Sequence, residues 1–399
     1  MNNQTSARLK VGVLFGGRSP EHEVSILSAK QVVGFLGKSY DVVPIYITRD
    51  GKWLTHESLL TDQALRNFEA ALKKSSQLVI TPDTSIQLIK NPLGTSLMRK
   101  AVRLDVDVIF PVLHGLHGED GSIQGLLELA NIPYVGSGIL ASAIGIDKVV
   151  TKKILEANSI PILDYLAFSR SEWEHDEDGI RNKILKKFNL PVIVKPARLG
   201  SSIAVEVASD IDELNIFIGS ASKYDTKILI EPYLKNCIEV NCSVLGNENP
   251  IASVLEKPMK KDNFLSFKDK YMQGEPTSGM ESAKRELPAR LPEGLTTEVQ
   301  DLAVKTFRAL GCAGVARIDF LIDNDNGSVY INEINTLPGS IAFYLWDGEE
   351  NGANRLAPEM LVGKLIEIAF EIFREKQRTR FHTDYKLLEN IDWLGLKKG

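Results

Sequence analysis

The residues best suited to chemistry lie in two short segments, Arg317-Ile-Asp319-Phe and Ile331-Asn-Glu333-Ile-Asn335-Thr336-Leu-Pro-Gly339. Each reads as a strand of alternating apolar and polar residues, and Asp323-Asn-Asp-Asn-Gly327 between them is dense in turn formers. Strand side chains alternate faces, so Arg317 shares a face with Asp319, and Glu333 with Asn335. A hairpin closing symmetrically about the turn would set Arg317 opposite Glu333, with Asp319 diagonal and still within reach. Two carboxylates, an amide oxygen and a guanidinium then converge on one patch. Such oxygen ligands suit Mg²⁺, which takes a few protein ligands and completes its shell with water or nucleotide phosphate. A polar hairpin face with cross-strand ion pairs is the plain alternative.

The elements that must position this patch are partly legible. A chain of 399 residues is too long for one ordinary core and predicts two or three domains. With 43% hydrophobic and 25% charged residues it reads as a soluble globular protein. A net charge of -5 gives no general reason to bind nucleic acid or an anionic membrane. The first ten residues lack the apolar core of a signal peptide, and no apolar run approaches a membrane span. Three cysteines without zinc-type spacing predict a reducing, cytoplasmic setting.

Residues 9–15 and 106–112 read as buried parallel strands, each feeding a Gly-rich turn and a helix, which predicts an open α/β domain over residues 1–147. A helix over 147–158 and strands over 191–196, 203–207 and 227–231 predict a small α+β domain spanning 148–232. A third domain, 233–378, would hold a strand at 239–245, a helix at 297–310, the hairpin and an amphipathic helix at 361–373. Residues 379–399 read as a surface tail. No chemistry is assigned to residues 49–104.

Four further motifs each admit a plain reading beside a functional one. Lys195-Pro-Ala-Arg-Leu-Gly200-Ser201-Ser202 sets a lysine at a strand end before a loop whose N–H groups could cradle a phosphate, though an ordinary hairpin would look similar. Glu231-Pro232-Tyr233-Leu234 ends a strand and continues extended, either to face a purine edge or as a linker. His114 and His117 sit on a Gly-rich turn at the C-terminal end of a strand, where open sheets bind ligands. Zinc is disfavoured there, because the pair is not on a helix face and no further ligand set is evident. Glu21, after Gly16-Gly17 and without dinucleotide-type glycine spacing, either favours a helix start or receives a substrate ammonium.

In order along residues 8–375, these stretches, with Asp147-Lys148, Glu231…Glu239 and Lys270-Tyr271, resemble the D-alanine–D-alanine ligases of the ATP-grasp superfamily. The resemblance implies a three-domain fold of α/β and α+β units, with ATP between the sheets of the central and C-terminal domains. Lys148, Lys195 and the loop Gly200-Ser201-Ser202 would meet the phosphates, and Glu231, Leu234 and Glu239 would hold adenine and ribose. Lys270 would reach the nucleotide from a closing loop. Asp319, Glu333 and Asn335 would hold two Mg²⁺ (or Mn²⁺) ions. Glu21 and His114 would receive the first D-alanine, with Ser201 and Tyr271 linked to Glu21 as the loop at 257–284 closes.

The implied reaction makes an acyl phosphate and then a dipeptide for peptidoglycan precursors, with Arg317 and the Gly339 N–H facing the oxyanion. A homodimer is implied as well. Three departures stand out: Ala204 replaces a glycine, Ser266-Phe267 replaces an Asp-Tyr pair, and Tyr344, before Leu345, replaces a serine that helps bind the second substrate's carboxylate. The last leaves D-lactate, D-serine or another amino acid as alternative acceptors. A regulatory nucleotide binder without catalysis is the reading from another class, and retention of Lys195, Arg317, Asp319, Glu333 and Asn335 argues against it.

Overall fold

The computed structural model describes residues 8–37, 39–82, 84, 88–91, 101–200, 202–259 and 285–380. Ser201, Lys270, Tyr271, the Ser266-Phe267 pair and most of the expected tail lie outside the described residues.

The first sheet contains β1 (Lys10–Gly16), β2 (Asp41–Ile47), β3 (Trp53–Thr55), β4 (Ser76–Ile80), β5 (Leu88–Lys90), β6 (Val102–Leu104) and β7 (Val108–Pro111), in the order β6-β5-β4-β3-β2-β1-β7. Only β2-β1-β7 are parallel, and β3 to β6 extend the sheet as an antiparallel meander. The expected open parallel sheet is therefore mixed, and the illegible stretch 49–104 supplies its outer strands. Those strands run three to five residues, too short for a period to show. Val11, Val13 and Phe15 of β1 join Ala29, Val32 and Leu36 of helix His22–Leu36 in a core that extends to helix Pro358–Gln377 through Leu361, Leu365 and Ile368. The chain's last described helix thus packs into the same core as its first sheet.

The central sheet holds β8 (Leu166–Ser169), β9 (Val192–Pro196), β10 (Glu206–Ala208) and β11 (Lys227–Pro232), in the antiparallel order β10-β9-β11-β8. Ile180 and Ile184 of one helix and Leu214 and Ile218 of another cover its core. The third sheet holds β12 (Cys237–Gly246), β13 (Ile251–Pro258), β14 (Arg285–Glu286), β15 (Gly314–Asp323) and β16 (Val329–Asn335), in the order β14-β13-β12-β15-β16. Val240, Cys242, Ile318 and Phe320 point to one face, where helix Leu295–Ala309 presents Val299, Ala303 and Phe307. By alternation, Asn241, Arg317 and Asp319 must point to the other.

The β15–β16 register corrects the expected pairing. Arg317 lies opposite Asn335, not Glu333, and Asp319 lies directly opposite Glu333. The turn pairs Ile322 with Val329, moving the register by one residue, and a bulge at Asn332 moves it by another. A shift of two leaves every side chain on its own face, so the polar patch survives while its partners change.

Candidate active site

Two polar rows run across the open face of the third sheet. One is Glu256–Asn241–Asp319–Glu333 over β13, β12, β15 and β16, and the other is Ser243–Arg317–Asn335. Arg317 grips Asp319 with both ends of its fork, Nε to Oδ1 at 2.7 Å and Nη2 to Oδ2 at 2.7 Å. Asn335 Nδ2 donates to Asp319 Oδ2 at 3.2 Å, and Lys148 Nζ lies 3.2 Å from Glu333 Oε2. Two carboxylates and an amide oxygen form a hard donor set that fits a divalent cation, its charge here balanced by Arg317 and Lys148. Among the described residues, no group of three or more His, Cys, Asp or Glu is arranged to hold a metal.

Lys148 is placed by helix Lys148–Ala157, which Asp147 caps by accepting from the N–H groups of Val149 and Val150, each at 3.1 Å. Lys227 Nζ donates to the same carboxylate at 2.6 Å, and Lys148 Nζ donates to the Leu199 carbonyl at 2.9 Å. One turn further, Lys152 faces the same way, a spacing of four that could have revealed it in the sequence. Its ammonium lies 2.5 Å from Glu231, whose other oxygen lies 2.5 Å from Lys195 Nζ. Lys195 also reaches Asn332 Oδ1 at 3.4 Å, so the bulge in β16 meets the end of β9.

This triad is almost dry, with Glu231 1% and Lys152 2% exposed. Burial would raise the Glu231 carboxyl, but Lys195 and Lys152 outweigh it and hold it at about 2. Burial dominates at Lys152 and pushes its ammonium below the usual lysine range. Two cations share one anion, an excess of positive charge that suits a phosphate.

Beside it, Gly200 begins a tight turn in which Ile203 N donates to the Gly200 carbonyl at 3.3 Å, and Ser202 and Ala204 take positive φ of 57° and 56°. A side chain on Gly200 would lie 3.4 Å from Glu21 Oε2, so this loop approaches the first domain. Leu234 follows β11, and Glu239 of β12 shares a face with Asn241 and Asp319 by alternation.

Glu21 directly precedes helix His22–Leu36 and is buried. A Cβ at Gly115, whose φ is +72°, would sit 2.7 Å from Glu21 Oε2, so only glycine lets this turn come so close. His114 is buried with Nε2 3.0 Å from Ser28 Oγ and Nδ1 3.7 Å from Glu119 Oε1. Burial alone would lower its pKa, but Glu119 and Glu21 outweigh that and raise it above the ordinary histidine value. His117 is exposed beside Asp120. Glu119 stands two residues past His117 in the sequence, and only the fold turns it back toward His114.

The turn Gly339–Leu345 closes the site, since Ser340 N donates to Ser28 Oγ at 3.4 Å. Ser340, Ile341 and Ala342 all take left-handed backbone, and the Tyr344 hydroxyl then donates to Glu256 Oε2 at 2.9 Å. Leu345 is fully buried in the core, and its carbonyl accepts from Asn351 Nδ2 at 2.9 Å.

The site is thus assembled from all three sheets, and the comparisons with known proteins agree on what such an assembly is. Residues 10–137 match the family model described as D-ala D-ala ligase N-terminus, and residues 154–367 match D-ala D-ala ligase C-terminus. A D-alanine–D-alanine ligase from Acetivibrio thermocellus is 42% identical over 375 residues, covering 92% of this chain and 97% of that protein. Among solved structures, the D-alanine–D-alanine ligase of Coxiella burnetii superposes with a TM-score of 0.77 at 30% identity, covering 93% of this chain and 96% of that one. A D-Ala:D-Ser ligase from Enterococcus faecalis gives 0.75 at 30% identity, covering 91% and 100%. With the ATP-grasp architecture and both family halves in place, the chain belongs to the D-alanine–D-alanine ligase family of ATP-dependent ligases.

Proposed function

We propose that this protein joins two D-alanines into D-alanyl-D-alanine while converting ATP to ADP and phosphate, supplying a precursor of peptidoglycan. The observation that carries the reading is the meeting of Lys148 and Lys195 with Glu333 and Asn332 where the central and third sheets adjoin. Cations for phosphates and oxygen ligands for a metal face one another there. In this reading residues 1–147 hold the first amino acid, 148–232 and 233–378 clasp the nucleotide, and Glu231, Leu234 and Glu239 border its base and ribose. Asp319, Glu333 and Asn335 are the ligands for two Mg²⁺ or Mn²⁺ ions, which when bound neutralise charge on the phosphates.

Glu21 and the protonated His114 neutralise the ammonium and carboxylate of the first D-alanine respectively. Its carboxylate attacks the γ-phosphate, and Lys195 stabilises the charge that develops there. The amine of the second D-alanine then attacks the acyl phosphate carbonyl. Arg317 and the Gly339 N–H receive the oxyanion, and phosphate leaves. We also propose a cytoplasmic homodimer. Among the described residues, no helix is long and apolar enough to cross a membrane.

A second reading takes D-serine, D-lactate or another amino acid as acceptor, and is supported by Tyr344: expected at the acceptor's carboxylate, its hydroxyl donates to Glu256 instead. The test is ADP and product formation from D-alanine and ATP against a panel of second substrates. Product with D-serine or D-lactate and none with D-alanine would replace the first reading by the second. No Mg²⁺-dependent ADP with any acceptor would overturn both.

A further inference from the structure

Arg198 lies between Lys195 and Gly200, yet the proposed reaction gives it no part. Its fork is committed to Asp225, just before β11. Nη2 donates to Asp225 Oδ1 at 2.5 Å, Nε donates to the same oxygen at 3.1 Å, and Nη2 also donates to Thr226 Oγ1 at 2.8 Å. The Arg198 backbone N–H adds a bond to Asp225 Oδ2 at 2.8 Å. Asp225 is 6% exposed and ends helix Ile211–Tyr224, where the helix dipole disfavours a negative charge. Burial disfavours that charge too, but the bonds from Arg198 outweigh burial and hold the carboxyl below the ordinary aspartate value.

This buried carboxylate is linked to Lys148 by two routes. The trans peptide between Ala197 and Arg198 is planar, so its N–H and C=O point opposite ways. The N–H goes to Asp225, and the C=O accepts from the Lys148 N–H at 3.0 Å. One residue on, the Leu199 carbonyl accepts from Lys148 Nζ at 2.9 Å. The carbonyls on either side of the Arg198 Cα thus hold both ends of Lys148. The second route runs through Lys227, whose N–H donates to Asp225 Oδ1 at 3.2 Å. Its Nζ donates at 2.6 Å to Asp147, the cap of the Lys148 helix. An ammonium on a flexible four-carbon stem needs such aiming, because the stem by itself allows many rotamers.

We propose that Asp225 is a positioning residue for nucleotide binding: through Arg198 it fixes the loop carbonyls that aim the Lys148 ammonium at the phosphates. Arg198 serves as the link, with its fork already bonded to Asp225 and Thr226. The inference rests on the ligase reading, which sets Lys148 at the phosphates.

The test is calorimetric titration of the full-length protein, with Mg²⁺, by the non-hydrolysable ATP analogue AMP-PNP. Asp225→Asn keeps the shape and one acceptor but loses the charge, and it weakens binding about tenfold, the loss expected for one hydrogen bond to a charged group. Arg198→Lys keeps a cation beside Asp225 without the fork and weakens binding about threefold, so it decides the matter if Asp225→Asn does not fold. Lys148→Met removes the ammonium being aimed, and in that background Asp225→Asn weakens binding by less than about twofold more. A general loss of structure would add in full instead. Unchanged affinity in a folded Asp225 variant, or the whole tenfold loss on top of Lys148→Met, would overturn the inference. The ligase reading fails separately, if the unaltered protein binds the analogue but forms no ADP from ATP, Mg²⁺ and any D-amino acid. No binding by the unaltered protein would sink both.

Discussion

Replacing Glu231 by glutamine tests whether the Lys152–Glu231–Lys195 triad holds the central domain together. The carboxyl is buried between two ammonium groups, each 2.5 Å from one of its oxygens, and its pKa falls from the ordinary 4.5 to about 2. At roughly 1.4 kcal/mol per unit, the charged form is favoured in the fold by about 3 kcal/mol. The sign follows from the depressed value: this stability is fully present above pH 4.5 and is lost progressively as pH falls toward 2. Glu231→Gln should therefore cost about 3 kcal/mol at pH 7 and progressively less below pH 4.5. The assay is urea unfolding of both proteins at pH 7 and pH 3, read as the difference between them at each pH. Lys152→Met should cost less than loss of the carboxylate, since Lys195 still pairs with Glu231, and the double variant should cost less than the two losses added. A Glu231→Gln difference below about 1 kcal/mol at pH 7, or an equal one at both pH values, would refute the reasoning.

Three other outcomes are expected. Glu333→Gln, which removes a carboxylate from the proposed metal set, should lower ADP release at saturating ATP and Mg²⁺ by about a hundredfold or more; unchanged turnover would remove Glu333 from the site. The His114 imidazole resonances should titrate above the ordinary histidine midpoint, and Glu119→Gln should lower that midpoint. The stability this charge contributes is present below pH 6.5 and lost as pH rises through the raised value. Burial pushes the Cys242 and Cys312 thiols up to about 12, so iodoacetamide at pH 8 should alkylate the half-buried Cys237 well before either. Rapid labelling of Cys242 or Cys312 in the folded protein would show that the third sheet opens.

Local signals in the chain suffice for much of this protein. Asp147 is an N-cap followed by apolar residues at helical spacing, so helix Lys148–Ala157 could be placed, and with it Lys148. Alternation placed Arg317 and Asp319 on one face and Glu333 and Asn335 with them, because the period of a strand is set by the backbone alone. The order of Glu21, His114, Lys195, Glu231 and the hairpin was enough to indicate the family.

Pairing across space was not legible. Nothing in residues 314–335 foretold the bulge at Asn332, since a bulge reflects how two strands accommodate twist together. Lys152 drew no notice because its partner lies 79 positions along the chain on another element. Tyr344 could be seen as a departure, but only the folded sheet shows that its hydroxyl donates to Glu256 and that Arg285 covers its ring. The sequence determined which elements form and which faces are polar, through backbone periodicity and side-chain type. The tertiary structure decided which charge meets which, because a buried ion's partner is fixed by the packing of elements far apart in the chain.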